Sequence, residues 1–92
     1  MMAVSRTAQF RKDVKRLLRS GTGHAGKLRP VIERLANGLP LEPRHKPHPL
    51  KNEWADHMEC HAAPDLLLIY KVDAARGELT LVRAGSHSEL FG

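Results

Sequence analysis

His48 stands between two prolines, in the run Lys46-Pro47-His48-Pro49-Leu50-Lys51. Proline fixes its own φ near about −65° and drives the preceding residue out of the helical region, so the backbone around this imidazole is extended and stiff. Further along, Glu59 and His61 lie two residues apart, Asp65 follows Pro64, Arg83 closes an alternating run, and His87 lies in the tail. The set comprises imidazoles, carboxylates and a guanidinium, with no serine or cysteine arranged as a nucleophile. It suits cleavage of RNA, which carries its own nucleophile in the 2′-hydroxyl. Attack on the adjacent phosphorus needs a base for the 2′ proton, an acid for the departing 5′ oxygen, and a cation for the charge growing on the phosphoryl oxygens. Histidine serves as acid or base at neutral pH. A carboxylate orients it, and arginine matches phosphate with paired hydrogen bonds. No metal is required.

Each residue also has an ordinary structural use. His24 and His45 read as surface residues, and His57 as cross-strand packing. Glu59 could pair with a lysine, Asp65 could cap the turn after Pro64, and Arg83 could bridge to Glu78 or Glu59. Trp54 reads as buried packing, Phe91 as a plug for the terminus, and Cys60 as a small core residue. Six histidines and one cysteine are enough ligands in number for zinc. Yet there is no C-x-x-C and no helical H-x-x-x-H, and Cys60 and His61 alternate to opposite faces, so no metal or other cofactor is expected.

The elements that must position these residues follow from patterning. A short strand is expected over residues 2–6. Thr7 can cap a helix with Phe10, Val14, Leu17 and Leu18 at helical spacing. Its other face carries Arg11, Lys12, Lys15, Arg16 and Arg19, and Ser20-Gly21 with Gly23 ends it. Leu28, Val31, Ile32, Leu35 and Ala36 mark a second helix. Pro30 is tolerated only in a first turn, which sets the expected start near Gly26, and Asn37-Gly38 is a stop. Residues 39–56, rich in proline and charge, read as a long ordered loop. Residues 57–62 alternate, with Met58, Cys60 and Ala62 on one face and His57, Glu59 and His61 on the other. The run 66–72 looks like a central strand covered on both faces. Residues 73–77 form a hairpin loop and 78–84 another alternating strand. The tail forms one turn capped by Ser86 or Ser88. The order predicts an α+β domain with a mainly antiparallel sheet of about four strands and two N-terminal helices on one face.

Ninety-two residues make a single domain, 1–92, with a modest core. An apolar content of 41% argues against wholesale disorder. One cysteine permits no internal disulfide and suits a reducing cytoplasm. The run MMAVSRTAQF shows no signal peptide, and no apolar stretch is long enough to span a bilayer. A formal charge of +5 points to a polyanionic partner: RNA, DNA or an acidic protein.

The runs LPLEPRHKPHPLKNEW, HMECHAAPDLLLIYKV and LVRAGSHSELFG, with the early FRKDVKRL, resemble the YafQ-type branch of the RelE/ParE toxin superfamily over nearly the whole chain. The specific elements are HPL with a following tryptophan, H-x-x-P-D leading into L-x-L-I-Y-K, and R-x-G-[ST]-H with a final LFG. The resemblance implies a compact RelE-like fold and a toxin of a type II toxin–antitoxin pair that cuts mRNA in the ribosomal A site. It implies three partners: ribosome, mRNA and a small acidic antitoxin whose disordered segment folds over the site. Carried over, His87 is the general acid and His48 the base, with His61 and Asp65 shaping the pocket. Arg83 steadies the phosphate and Phe91 supports the tail or stacks on a base. Lys46 and Glu59 join the substrate-binding residues. Three positions depart from the family pattern: Pro47 before HPL, Glu59 where relatives often have aspartate, and Leu66 where an aromatic can follow the P-D step. They bear on codon preference and rate more than on reaction class. Two other classes remain: a ParE-like toxin acting on a protein such as gyrase, and a noncatalytic nucleic-acid-binding module.

Overall fold

The computed structural model describes residues 1–92. Strand β1 (Ala3–Arg6) leads into helices α1 (Ala8–Arg19) and α2 (His24–Ala36). After a long connection come β2 (His48–Pro49), β3 (Met58–Ala63), β4 (Leu66–Asp73), β5 (Glu78–Gly85) and the short helix α3 (His87–Phe91). The strands form one sheet in the order β1-β5-β4-β3-β2. The fold is α+β as expected, with five strands. All pairings are antiparallel except β1 with β5, which run parallel. The two helices after β1 form the long connection that a parallel partner needs. The Met2 amide donates to the Ala36 carbonyl (2.8 Å), tying the start of the chain to the end of α2.

β4 is the central strand, with Leu66 to Tyr70 all buried. Leu66, Leu68 and Tyr70 join Cys60, Leu79, Leu81 and Ala84 against Phe10, Leu17, Leu28 and Val31 of the helices. Leu67 and Ile69 face the other way and are covered by Leu90 of α3, with Leu50, Trp54 and Val82. The second face therefore has its own small core, roofed by the tail and the 50–54 segment.

Local expectations meet three corrections. Leu18 is 66% exposed, because the buried stripe of α1 runs through Phe10, Asp13 and Leu17. Helix α2 begins two residues earlier than expected, so Pro30 lies in its interior. Pro30 and Gly26 are both exposed, so the carbonyl that the proline leaves without an intrahelical partner is open to solvent. The 39–56 segment carries more regular structure than a loop: 3-10 turns at Pro43–His45 and Asn52–Trp54 flank β2. Pro49 pairs only on the inner side of an edge strand, where a missing N–H is tolerated.

The N-cap of α1 shows how helix and sheet interlock. The Thr7 hydroxyl oxygen accepts from the Phe10 amide (3.0 Å), and the hydroxyl donates to the Val82 carbonyl (2.8 Å). β1 ends at its Arg6–Leu81 pairing, and from there side chains of α1 satisfy the open backbone of β5. Asp13 accepts from the Ala84 amide (3.0 Å) and Arg16 donates to the Ala84 carbonyl (2.9 Å). No helix is long and apolar enough to cross a membrane.

Candidate active site

The sheet register places four residues in one row. His48 pairs with Glu59, Glu59 with Ile69, and Ile69 with Arg83. Paired residues in a sheet share a face, so His48, Glu59 and Ile69 stand on the face opposite α1 and α2; Arg83 sits where the register of β5 with β4 shifts, and its side chain meets Asp13 of α1. The next row on this face runs His61, Leu67, Gly85. Chain positions far apart are thus collected by strand pairing, and α3, seated on that face through Leu90, adds His87.

The His48 ring is held at both nitrogens. Nδ1 lies 2.9 Å from the Lys46 carbonyl and Nε2 lies 3.2 Å from Glu59 Oε1. A carbonyl only accepts, so Nδ1 carries a proton and Nε2 meets the carboxylate. Glu59 lies on the face opposite the helices, as its alternation indicates, but it is only 6% exposed there, and its Oε2 has no hydrogen-bond partner. The pair is therefore a buried carboxylate with spare acceptor capacity, coupled to an imidazole that reaches solvent. Lys46 holds its geometry with φ 43, in the left-handed region.

His87 is exposed at the first position of α3. The helix is fixed by a capping box: the Glu89 amide donates to the Ser86 hydroxyl (3.2 Å) and the Ser86 amide to Glu89 Oε1 (2.8 Å). The His87 ring lies 5.2 Å from the Phe91 ring, Phe91 packs edge-on against Trp54 at 6.3 Å, and Trp54 against His57 at 5.3 Å. Trp54 and His57, read from sequence as packing, form with Phe91 and His87 an aromatic rim along this face. The signal was present in the three-residue spacing of Trp54 and His57 across one turn.

Arg83 is committed elsewhere. Its Nε donates to Asp13 Oδ2 (2.8 Å) and its Nη2 to Asp13 Oδ1 (3.2 Å), in place of the expected Glu78 or Glu59. Asp13 is fully buried and also accepts from Arg16 (2.8 Å), whose Nε meets Glu89 Oε2 (2.8 Å). One buried carboxylate thus links α1, β5 and, through Arg16, the helix that bears His87. Burial pushes the Asp13 carboxyl upward, but the bonds from Arg83, the Ala84 amide, Arg16 and Gln9 outweigh it and hold it below the usual 3.8. The Asp13 bond correspondingly raises Arg83. Sequence reading missed Asp13, although it lies three residues after Phe10 and four before Leu17, on the apolar stripe.

Gly85 admits this network because it has no side chain. A Cβ there would sit 2.7 Å from Arg16 Nη2 and 3.0 Å from Glu89 Oε1. Gly85→Ala is expected to lower stability by about 1 kcal/mol by displacing Arg16 from the Ala84 carbonyl, read as a fall in the urea midpoint at unchanged m-value.

Asp65 is exposed at the β3–β4 turn. It shares a recess with Ser86 and Glu89, the residues flanking His87 in α3. His61 lines a cleft at the open edge of β3, together with Lys46 and His45. His45, taken as a surface residue, is in fact 4% exposed. Cys60 is fully buried, and burial, with the Glu59 charge adding, pushes its thiol up to about 12. It should resist iodoacetamide in the native protein and react only on unfolding, which a mass-shift time course would show. No three His, Cys, Asp or Glu side chains come together as a set that could hold a metal ion.

Residues 2–92 match the family model described as a bacterial toxin of a type II toxin–antitoxin system, YafQ. The chain is 38% identical over 87 residues to the mRNA interferase toxin YafQ of Escherichia coli strain B/BL21-DE3, covering 94% of this chain and 91% of that protein. The crystal structure of YafQ from E. coli BL21(DE3) superposes with a TM-score of 0.90 at 33% identity, covering all of both chains. The toxin in the crystal structure of the E. coli DinJ–YafQ complex does so at 0.89 and 34% identity, again over the full length of both.

Proposed function

This chain belongs to the YafQ family of type II toxin–antitoxin toxins, and on that premise we propose that it is a ribosome-dependent mRNA endoribonuclease working by histidine acid–base chemistry. The observation that carries the reading is the oriented His48–Glu59 pair on the same sheet face as His87. The 2′-hydroxyl of the substrate gives its proton to Nε2 of the neutral His48 ring as its oxygen bonds to phosphorus, and Glu59 holds the imidazolium that forms. The bond from phosphorus to the 5′ oxygen breaks, and His87 protonates that oxygen. The products are a 2′,3′-cyclic phosphate and a 5′-hydroxyl end. Charge building on the phosphoryl oxygens is met by Lys46 and His61 beside the row. Arg83, spent on Asp13 through Nε and Nη2, acts through what remains of its donor fork. Phe91 and Trp54 offer rings on which a base can stack.

Induced expression of wild type, His48→Ala and Glu59→Gln, with growth and mRNA ends mapped, tests this reading. Wild type is expected to arrest growth and leave cut mRNA. His48→Ala should abolish cutting, and Glu59→Gln should lower it about 10- to 100-fold by taking away the negative charge that holds the ring and steadies the imidazolium. Growth arrest without cut mRNA would instead favour a protein target.

The same reading assigns an antitoxin partner. An E. coli relative is seen in complex with DinJ, and the +5 charge here suits an acidic chain. A small acidic protein encoded beside this chain should co-purify with it and block cutting when co-expressed. A neighbour that does neither would remove the assignment.

A further inference from the structure

The outer edge of β3 pairs with β2 only at Met58 and Glu59. Beyond that pairing it opens into a cleft of about 630 Å³ between α2 and the 43–45 turn, within the roughly 300–1,000 Å³ range of small-ligand sites. Lys27, Arg44 and Lys46 ring it with His45 and His61, and no carboxylate lines it. Arg44 is paired with Glu42 at 2.7 Å. The ion pairs of the chain are made by arginines and His48, never by a lysine, so Lys27 and Lys46 present unneutralised charge. Val31, Ala62 and Pro64 supply an apolar floor. The His45 ring in the wall is 4% exposed, and its Nδ1 has no hydrogen-bond partner. Buried polar atoms are rarely left unsatisfied, and the cleavage chemistry makes no use of this one.

We propose that this cleft is a subsite for one nucleotide of the RNA strand next to the cleaved bond, with its phosphate on Lys27 and Lys46 and its ribose and base on the apolar floor against His45. The inference rests on the reading that the His48 row cuts RNA. Continuity supports it. Lys46, whose carbonyl fixes His48, lines the cleft, and so does His61, two residues along β3 from Glu59. Unpaired cations over an apolar floor suit a phosphate joined to a flat, weakly polar base better than a carboxylate-rich peptide, which would leave the floor bare.

The test is an amide NMR titration with a 2′-O-methyl trinucleotide, whose blocked nucleophile prevents cleavage. A hexaglutamate peptide is run in parallel at the same ionic strength. Lys27, Val31, His45 and Ala62 are expected to shift with the trinucleotide in step with His48 and Glu59. Lys27→Glu should weaken binding at least tenfold. On translated mRNA, Lys27→Ala should raise KM at nearly constant kcat. Shifts at His48 and Glu59 with the cleft residues silent would overturn the subsite while leaving the nuclease reading intact. Cleft shifts with hexaglutamate alone would assign the cleft to an acidic protein segment and overturn the proposal, and so would silence from both ligands at millimolar concentration. Cleavage of translated mRNA by the same preparation reports separately on the nuclease reading.

Discussion

His87→Ala is expected to lower kcat for cleavage of translated mRNA by about 10²- to 10⁴-fold, the range of a positioned general acid, while KM and antitoxin binding stay close to wild type. The ring is exposed and lies 5.2 Å from the Phe91 ring, so removing it opens no buried cavity. The capping box of α3 uses Ser86 and Glu89, so the helix survives the change. A rate loss with an unaltered urea midpoint assigns the effect to chemistry. A variant as active as wild type would show that the leaving oxygen takes its proton from another group. His87→Ala also separates the three function classes. A nuclease loses kcat. A toxin directed at a protein, and a nucleic-acid-binding module, are indifferent to this imidazole, and the latter responds to salt and to lost lysines instead.

Asp13→Ala is expected to cost about 3 kcal/mol of folding stability, at the low end for removing one partner of a buried ion pair. Arg83 and Arg16 keep some solvent contact and recover part of their hydration. The Ala84 amide, which is buried, loses its acceptor outright. For a domain of this size such a loss lowers Tm by roughly 15 °C. The same carboxylate sets the acid limit. Its folded pKa lies below the ordinary 3.8, so the unfolded chain takes up the proton first. The stabilisation is whole above that value and drains away as pH falls through the folded pKa. Wild type should therefore lose stability steeply below pH 3.8, while Asp13→Asn should start lower and fall less over the same interval. Parallel pH profiles of the two would argue that Asp13 titrates alike in both states. The α3 amides give a second readout. Arg16 ties Asp13 to Glu89, so loss of Asp13 should broaden the α3 amide signals in the variant that remains folded.

Much of this arrangement was legible in local sequence, because local chemistry decides it. Thr7 caps α1, Asn37-Gly38 follows α2, LLLIY is the doubly covered strand, and Ser86 caps α3. Each needs only neighbours in the chain. What failed depended on partners far away. The parallel seat of β1 beside β5 is set by a crossover whose geometry no local run encodes. The burial of Glu59 follows from β2 closing over the edge of β3, a pairing of two residues inside a segment that reads as loop. From sequence, Arg83 is assigned to the phosphate, or to Glu78 or Glu59, because its partner Asp13 lies 70 positions earlier. Asp13 itself sits on the apolar stripe of α1, where nothing in the neighbouring sequence shows the partners that would admit a buried carboxylate. The site was legible as a set of residue types, and the row that joins His48 to Glu59 came from register.

The central claim is that His87 protonates the 5′ oxygen while the His48–Glu59 pair takes the 2′ proton. It is tested most directly with an mRNA whose scissile 5′ oxygen is replaced by sulfur, presented on the ribosome. A thiolate leaves without an acid. The account predicts that His87→Ala cuts the sulfur substrate nearly as fast as wild type does, while His48→Ala stays defective on it. A His87→Ala defect equal on sulfur and oxygen substrates would contradict that assignment.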